Sequence, residues 1–180
     1  MSPTITLEFG GRATGEPNQV LPVTCDMDGY LKDVSFPTAR PVVMSITRTF
    51  WEKATAAHVY CMQGRLRGRF ARHWHDLAAI AASTHGQDAI RNQAVALAVA
   101  HHKSMFFPEK DDTGQTIDYA DAAQGQLRIV PEGKPRDALM TDYAAMQEDQ
   151  MLLKNPLPFD ELMELCDGIE EQANSAHEKK

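Results

Sequence analysis

Apolar and polar residues alternate near the start of the chain, and the spacing changes to a helical period after Thr47. Thr4-Ile5-Thr6-Leu7-Glu8-Phe9 alternates as a strand does and stops at Gly10-Gly11. Val20-Leu21-Pro22-Val23-Thr24-Cys25 and Pro41-Val42-Val43-Met44-Ser45-Ile46 are two further short strand candidates. Turns containing Gly or Pro separate them, at Gly15-Glu16-Pro17-Asn18, Asp28-Gly29 and Phe36-Pro37. Pro22 and Pro41 favour strand starts or sheet edges, because proline cannot donate to a ladder. Beyond Thr47, Phe50, Ala54, Ala57 and Cys61 share one face of a helix that ends near Gly64. Phe70, His73, Leu77 and Ile80 mark a second helix. Ile90, Ala94, Leu97, His101 and Met105 mark a third, rich in alanine and long enough to be central. A polar loop follows over 108–116, then a short helix from Asp118. Leu139, Tyr143 and Met146 mark another helix. The last starts at Asn155-Pro156-Leu157-Pro158, with Leu162, Leu165, Cys166 and Ile169 inward and a tail expected to fray beyond Asn174.

This pattern predicts an α+β chain: a small partial sheet over 1–47, then a bundle of about six helices over 48–180. Three short strands make a thin sheet. Exposed sheet edges are normally paired, covered or charged, so the strands are expected to belong to a larger sheet whose other members lie elsewhere.

Composition narrows the picture. At 180 residues, 43% apolar and 24% charged, the chain reads as an ordinary soluble protein with one sizeable core. No apolar run approaches the roughly 20 residues needed to cross a bilayer, and the N-terminus has no secretory pattern, so a cytoplasmic location is expected and no membrane partner. Cys25, Cys61 and Cys166 are odd in number and form no CxxC, which points to neither a disulfide framework nor a zinc knuckle. The net charge of −7 is unevenly spread. Residues 40–75 carry seven basic side chains against one acid (Glu52), whereas 109–180 carry seven against seventeen. A basic centre in an acidic protein suits a phosphate site, and equally a basic loop beside a solvated acidic face.

Two charged residues stand among positions that want burial. Lys53 lies beside Ala54 at the border of the first helix's apolar stripe, where a lysine can aim inward and hold a phosphate as a point charge, snorkel to solvent, or pair with an acid. Asp76 lies beside Leu77 on the second helix. It can orient Lys53 or act as a base or metal ligand, or it can pair with Arg72 four residues earlier. Lys53 and Asp76 are therefore candidates for one shared polar site. Arg65-Leu66-Arg67-Gly68-Arg69, with Arg72 just beyond, sits between the two helices, where it either contacts phosphates of a nucleotide or RNA or is a solvated loop. Glu8 points away from Leu7 and Phe9, toward solvent or toward a cleft where it could bind a divalent cation. His73 and His75, two apart on a helix, do not share a face, which disfavours a metal-dependent hydrolase built on them and His58.

Leu7-Glu8-Phe9-Gly10-Gly11-Arg12, Arg48-Thr49-Phe50-Trp51-Glu52-Lys53 with His58, Arg72-His73-Trp74-His75-Asp76-Leu77, and the pair Leu139-Met140-Thr141-Asp142-Tyr143-Ala144-Ala145-Met146 and Pro158-Phe159-Asp160-Glu161-Leu162 together resemble AbiEii-type nucleotidyltransferase toxins. The resemblance spans nearly the whole chain. It implies a fold related to DNA polymerase β with a helical C-terminal half, and Mg²⁺-dependent transfer of a nucleotidyl group from an NTP to an acceptor such as tRNA. It implies that Lys53 holds the triphosphate in the Phe-x-Glu-Lys motif, that Asp76 is the downstream catalytic aspartate, that Glu8 matches a third strand carboxylate binding the metal, and that Arg12 contacts phosphates. A winged-helix antitoxin often accompanies such toxins.

One departure is large. The family's opening Gly-Ser or Gly-Thr turn followed by Asp-x-Asp or Glu-x-Asp is not found. Asp26-Met27-Asp28 comes after Glu8 and beside Gly29, where a turn is expected. The chain resembles the later part of such an enzyme, so alone it is expected to be inactive or weak unless another chain supplies the first part. The alternative is a non-catalytic helical domain that binds a protein partner or RNA.

Overall fold

A computed structural model describes residues 14–65, 68–152 and 156–176. The expected strand over 4–9, with Glu8 and Arg12, lies outside these residues, as does Arg67. The chain divides into two units between Ser45 and Ile46.

The first unit is a β-ribbon. Strands β1 (Asn18–Val20) and β2 (Val42–Met44) pair antiparallel with Val20 opposite Val42. A single bridge from Val23 to Ala39 continues the ladder. Both strands are shorter than the alternation suggested. Asp26 and Asp28 fall in a turn, where Asp28 N–H donates to Cys25 O at 2.9 Å. The ribbon buries little: Val42 is 66% exposed and Tyr30 79%.

The second unit is helical: α1 (Ile46–Gln63), α2 (Arg72–Ala81), α3 (Gly86–Arg91), α4 (Gln93–Phe106), α5 (Tyr119–Ala123), α6 (Gly133–Glu148) and α7 (Phe159–Ser175). With the ribbon, these seven helices among the described residues make the α+β architecture that the pattern predicts. Helix α1 is the hub, packing on α2, α3, α4 and α5. Phe50, Trp51, Ala54, Ala57 and Tyr60 are buried on it. Burying each large aromatic stabilises the fold by about 2–3 kcal/mol. Thr55 is also fully buried, and its hydroxyl donates to Trp51 O at 2.7 Å, so no polar atom is stranded. The helix stops at Gly64, whose φ of +65° suits glycine, and whose N–H closes on Tyr60 O at 2.7 Å. A side chain there would meet Pro135 at 3.2 Å.

Two readings of the periodicity change. Ile90 belongs to α3, because Asn92 ends that helix and caps α4 by accepting from Val95 N–H at 3.1 Å. Helix α4 buries Ala96, Val99, Ala100 and His102, while Leu97 is 42% and Met105 56% exposed. The expected central face is the outer one. An alanine-rich run offers two apolar stripes, and the aromatic side chains of α1 fill the middle instead.

Residues 127–130 form no helix or strand, and their backbone groups pair with side chains. Asn174 accepts from Leu127 N–H at 2.8 Å and donates to Leu127 O at 3.0 Å. Glu170 accepts from Ile129 N–H at 2.6 Å and Val130 N–H at 3.1 Å. His58 accepts from Arg128 N–H at 3.1 Å. The Trp74 indole N–H donates to Ile129 O, tying α2 to the same segment.

Candidate active site

Three consecutive residues of α1 meet three different helices. Successive side chains on a helix are turned by about 100°. Trp51 donates its indole N–H to Ala89 O of α3 at 3.0 Å. Glu52 turns to α4, where its carboxylate meets Lys103 Nζ at 3.1 Å. Lys53 turns to α2, where its Nζ meets Asp76 Oδ2 at 2.6 Å. Each partner helix is thereby fixed in register against α1.

The Lys53–Asp76 pair is the contact that the residue pattern anticipated, and the alternative Arg72–Asp76 pairing is not formed. The side chains are 21% and 38% exposed, so the pair looks onto solvent. Ile46, Thr49, Ala79 and Ile80 line the open depression around it. An ammonium has three donors and Asp76 accepts one, which leaves Lys53 able to donate to phosphate oxygens while Asp76 restrains its swing. His73 sits one turn before Asp76. Burial, then the nearby charges of Lys53 and Arg72, pushes its pKa down to about 4. It is neutral at ordinary pH, so Lys53 and Arg72 supply the positive charge of this spot.

Glu52 does a different job. It bridges Lys103 and Arg48, whose Nη2 donates to Glu52 Oε1 at 2.9 Å and lies 3.5 Å from His102 Nδ1. The Arg48 side chain is 4% exposed. The sequence reading missed this inward network. Its available signal was the acid at 52 lying four residues after Arg48.

The basic turn is partly ordered by Asp142 of α6. Its carboxylate accepts from Arg69 N–H and Ala71 N–H, both at 2.8 Å. Arg69 takes a φ of +63°. Arg65 and Arg72 are exposed on either side of the turn. Two motifs far apart in sequence thus meet at Asp142, next to the start of α2. His58 lies elsewhere, buried, with its pKa pushed down to about 4 by desolvation and by Arg128. His58, His73 and His75 form no metal set, and no group of three or more His, Cys, Asp or Glu among the described residues could hold a metal ion.

Residues 1–165 match the family described as nucleotidyl transferase AbiEii toxin, type IV toxin–antitoxin system. The chain belongs to the AbiEii nucleotidyltransferase toxin family. No curated protein and no solved structure matches it. The matched span contains both halves of the Lys53–Asp76 pair and Asp142. For Mg²⁺, the described residues of this AbiEii chain are a poor fit: Asp76 is already paired with Lys53, and no carboxylate cluster accompanies it. Among the described residues no helix is long and apolar enough to cross a membrane.

Proposed function

We propose that this AbiEii-family chain takes part in transfer of a nucleotidyl group from an NTP to an RNA acceptor such as tRNA, with Lys53 holding the triphosphate and Asp76 fixing the lysine. The observation that carries the reading is the 2.6 Å ion pair, which joins two motifs on separate helices at an open surface. Arg65, Arg69 and Arg72 lie in or beside the turn before α2, and with Arg67 and Arg12 they supply positive charge for phosphates. Glu8 is the residue proposed for Mg²⁺. An antitoxin is the expected regulatory partner.

Nucleotidyl transfer depends mainly on positioning and on neutralising phosphate charge. Lys53 contributes to both through its fixed ammonium. With no Gly-Ser turn and Asp-x-Asp strand in this sequence, transfer by the chain alone is expected to be weak. The test is transfer of α-labelled NTPs to total tRNA with Mg²⁺, by the chain and by Lys53→Ala. NTP binding that needs Lys53, with little transfer, is the expected result. Strong labelling that disappears in Lys53→Ala would keep the lysine's role and overturn the need for a partner chain. Binding of RNA without any NTP binding would favour the non-catalytic RNA-binding reading.

A further inference from the structure

A second cavity opens along the same face of α1. Lys53, Ala56, Tyr60 and Gln63 follow one another at steps of three or four, so they stack on one side of the helix. Tyr60 stands about 10 Å further along the axis than Lys53. The cavity near it measures about 170 Å³ and is walled by Tyr60, Phe70, Phe107 and Tyr119, with Gln63 and Glu109 among its polar residues. Four aromatic side chains thus come from α1, the turn before α2, the end of α4 and the start of α5. The Phe70 ring also touches His73, centroid to centroid at 4.5 Å, and His73 is the neighbour kept uncharged by burial and then by Lys53.

The chemistry of the walls narrows the occupant. The volume lies below the roughly 300–1,000 Å³ of pockets that take whole small ligands, so it suits a single ring system. The aromatic walls favour a flat one. The Gln63 amide nitrogen donates to Glu109 Oε2 at 2.8 Å and Lys110 O at 2.7 Å. Both of its N–H donors are engaged, which fixes the orientation of the amide and leaves its carbonyl oxygen as an acceptor for a ligand's N–H edge. Arg65 lines the cavity and forms no ion pair among the described residues, so a cation is available beside it.

We infer that this cavity takes one nucleobase, held by stacking against Phe70 and Phe107 and by its edge on Gln63. Base–aromatic stacking tolerates any base, because every base presents a π-face. The inference rests on the nucleotidyl-transfer reading, since a phosphate on Lys53 is what would place a nucleotide along this helix face. The base comes either from the NTP or from an unstacked nucleotide of the RNA.

The experiment titrates the full chain with unphosphorylated nucleosides, with NTPs and with a short single-stranded RNA, using ligand-observed NMR and calorimetry. The same series is run on Phe107→Ala, Gln63→Ala and Lys53→Ala. Phe107 is 38% exposed and its ring also meets His102 and Lys103, so thermal unfolding of each variant is recorded beside the titrations and Gln63→Ala serves as the second probe. At least one nucleoside should bind, with affinity reduced about tenfold in Phe107→Ala and unchanged in Lys53→Ala. NTP affinity that falls in both variants identifies the base as the nucleotide's. RNA affinity that falls in Phe107→Ala, with NTP affinity unmoved, identifies it as the acceptor's. No nucleoside binding, or binding indifferent to Phe107 and Gln63, overturns the cavity's assignment and leaves Lys53 to be judged by NTP binding alone. Nucleosides that bind as tightly as NTPs, with Lys53→Ala indifferent, would instead remove the phosphate reading and leave the cavity standing.

Discussion

Glu52 and Lys53 are neighbours in one short motif and similarly exposed, at 25% and 21%, yet they join networks whose other members differ. Glu52 closes an inward network with Arg48 and Lys103, in which the arginine side chain is 4% exposed. Lys53 forms an outward pair with Asp76, whose side chain is 38% exposed. The inward site has a carboxylate between two cations and is occupied by its own members. The outward site has one cation and one acid, and the lysine, 21% exposed, has donors to spare. A single helical step of about 100° separates scaffold from candidate chemistry. Charged residues in a motif therefore need not share a role.

The largest effect should come from breaking the inward side. Glu52→Ala removes the acceptor between Arg48 and Lys103 and should cost about 3 kcal/mol of stability, the low end for a buried pair because Glu52 is 25% exposed. Urea unfolding followed by Trp51 and Trp74 fluorescence measures it, and a loss under about 1 kcal/mol would make the network ornamental. Acidification is next. His58 and His73 have folded pKa values near 4, against an ordinary 6.5. The unfolded chain takes up these protons first, so their support is complete above pH 6.5 and is lost as pH falls toward 4. Roughly 2–3 kcal/mol should disappear between pH 7 and 4.5, after allowance for partial exposure. Replacing His73 with Gln should flatten that dependence, and an unchanged slope would contradict the burial account.

Breaking the outward side should do less to the fold. Lys53→Ala should cost less, about 1 kcal/mol, because Asp76 is 38% exposed and stays hydrated when the lysine is lost. Triphosphate affinity should meanwhile drop about tenfold or more. Equal losses of stability in Lys53→Ala and Glu52→Ala would erase the contrast between the two sites. The smallest effect is expected at Arg136–Asp160, 2.8 Å apart with Asp160 85% exposed. Asp160→Asn should stay within a few tenths of a kcal/mol, which calibrates the screening of outward pairs by chemical denaturation.

Lys53 and Asp76 were legible because each stands one residue off an apolar stripe, where helical geometry limits the directions available. The end of α1 was legible because Gly64 marks it. The buried face of α4 was not, since alanine satisfies an inner or an outer position equally and only the packing against α1 decides. The aromatic cavity was also hidden. Phe107 and Tyr119 lie on opposite sides of a polar loop, and a local period cannot report that they approach Tyr60 and Phe70. Glu52 was misread by omission: the motif draws attention to its lysine, while the acid's partner on α4 lies 51 residues away.

The family match ends at residue 165, but two of the side chains that anchor segment 127–130 lie beyond it. Glu170 and Asn174 hold three of its amide groups and one carbonyl, and both lie beyond that limit. A protein trimmed to the matched span would keep every motif and still leave those four groups without their clasp, each loss worth about 1–3 kcal/mol if the group stays buried. The boundary of recognisable ancestry and the boundary of the cooperative folding unit therefore differ, and the last two turns of α7 belong to the second.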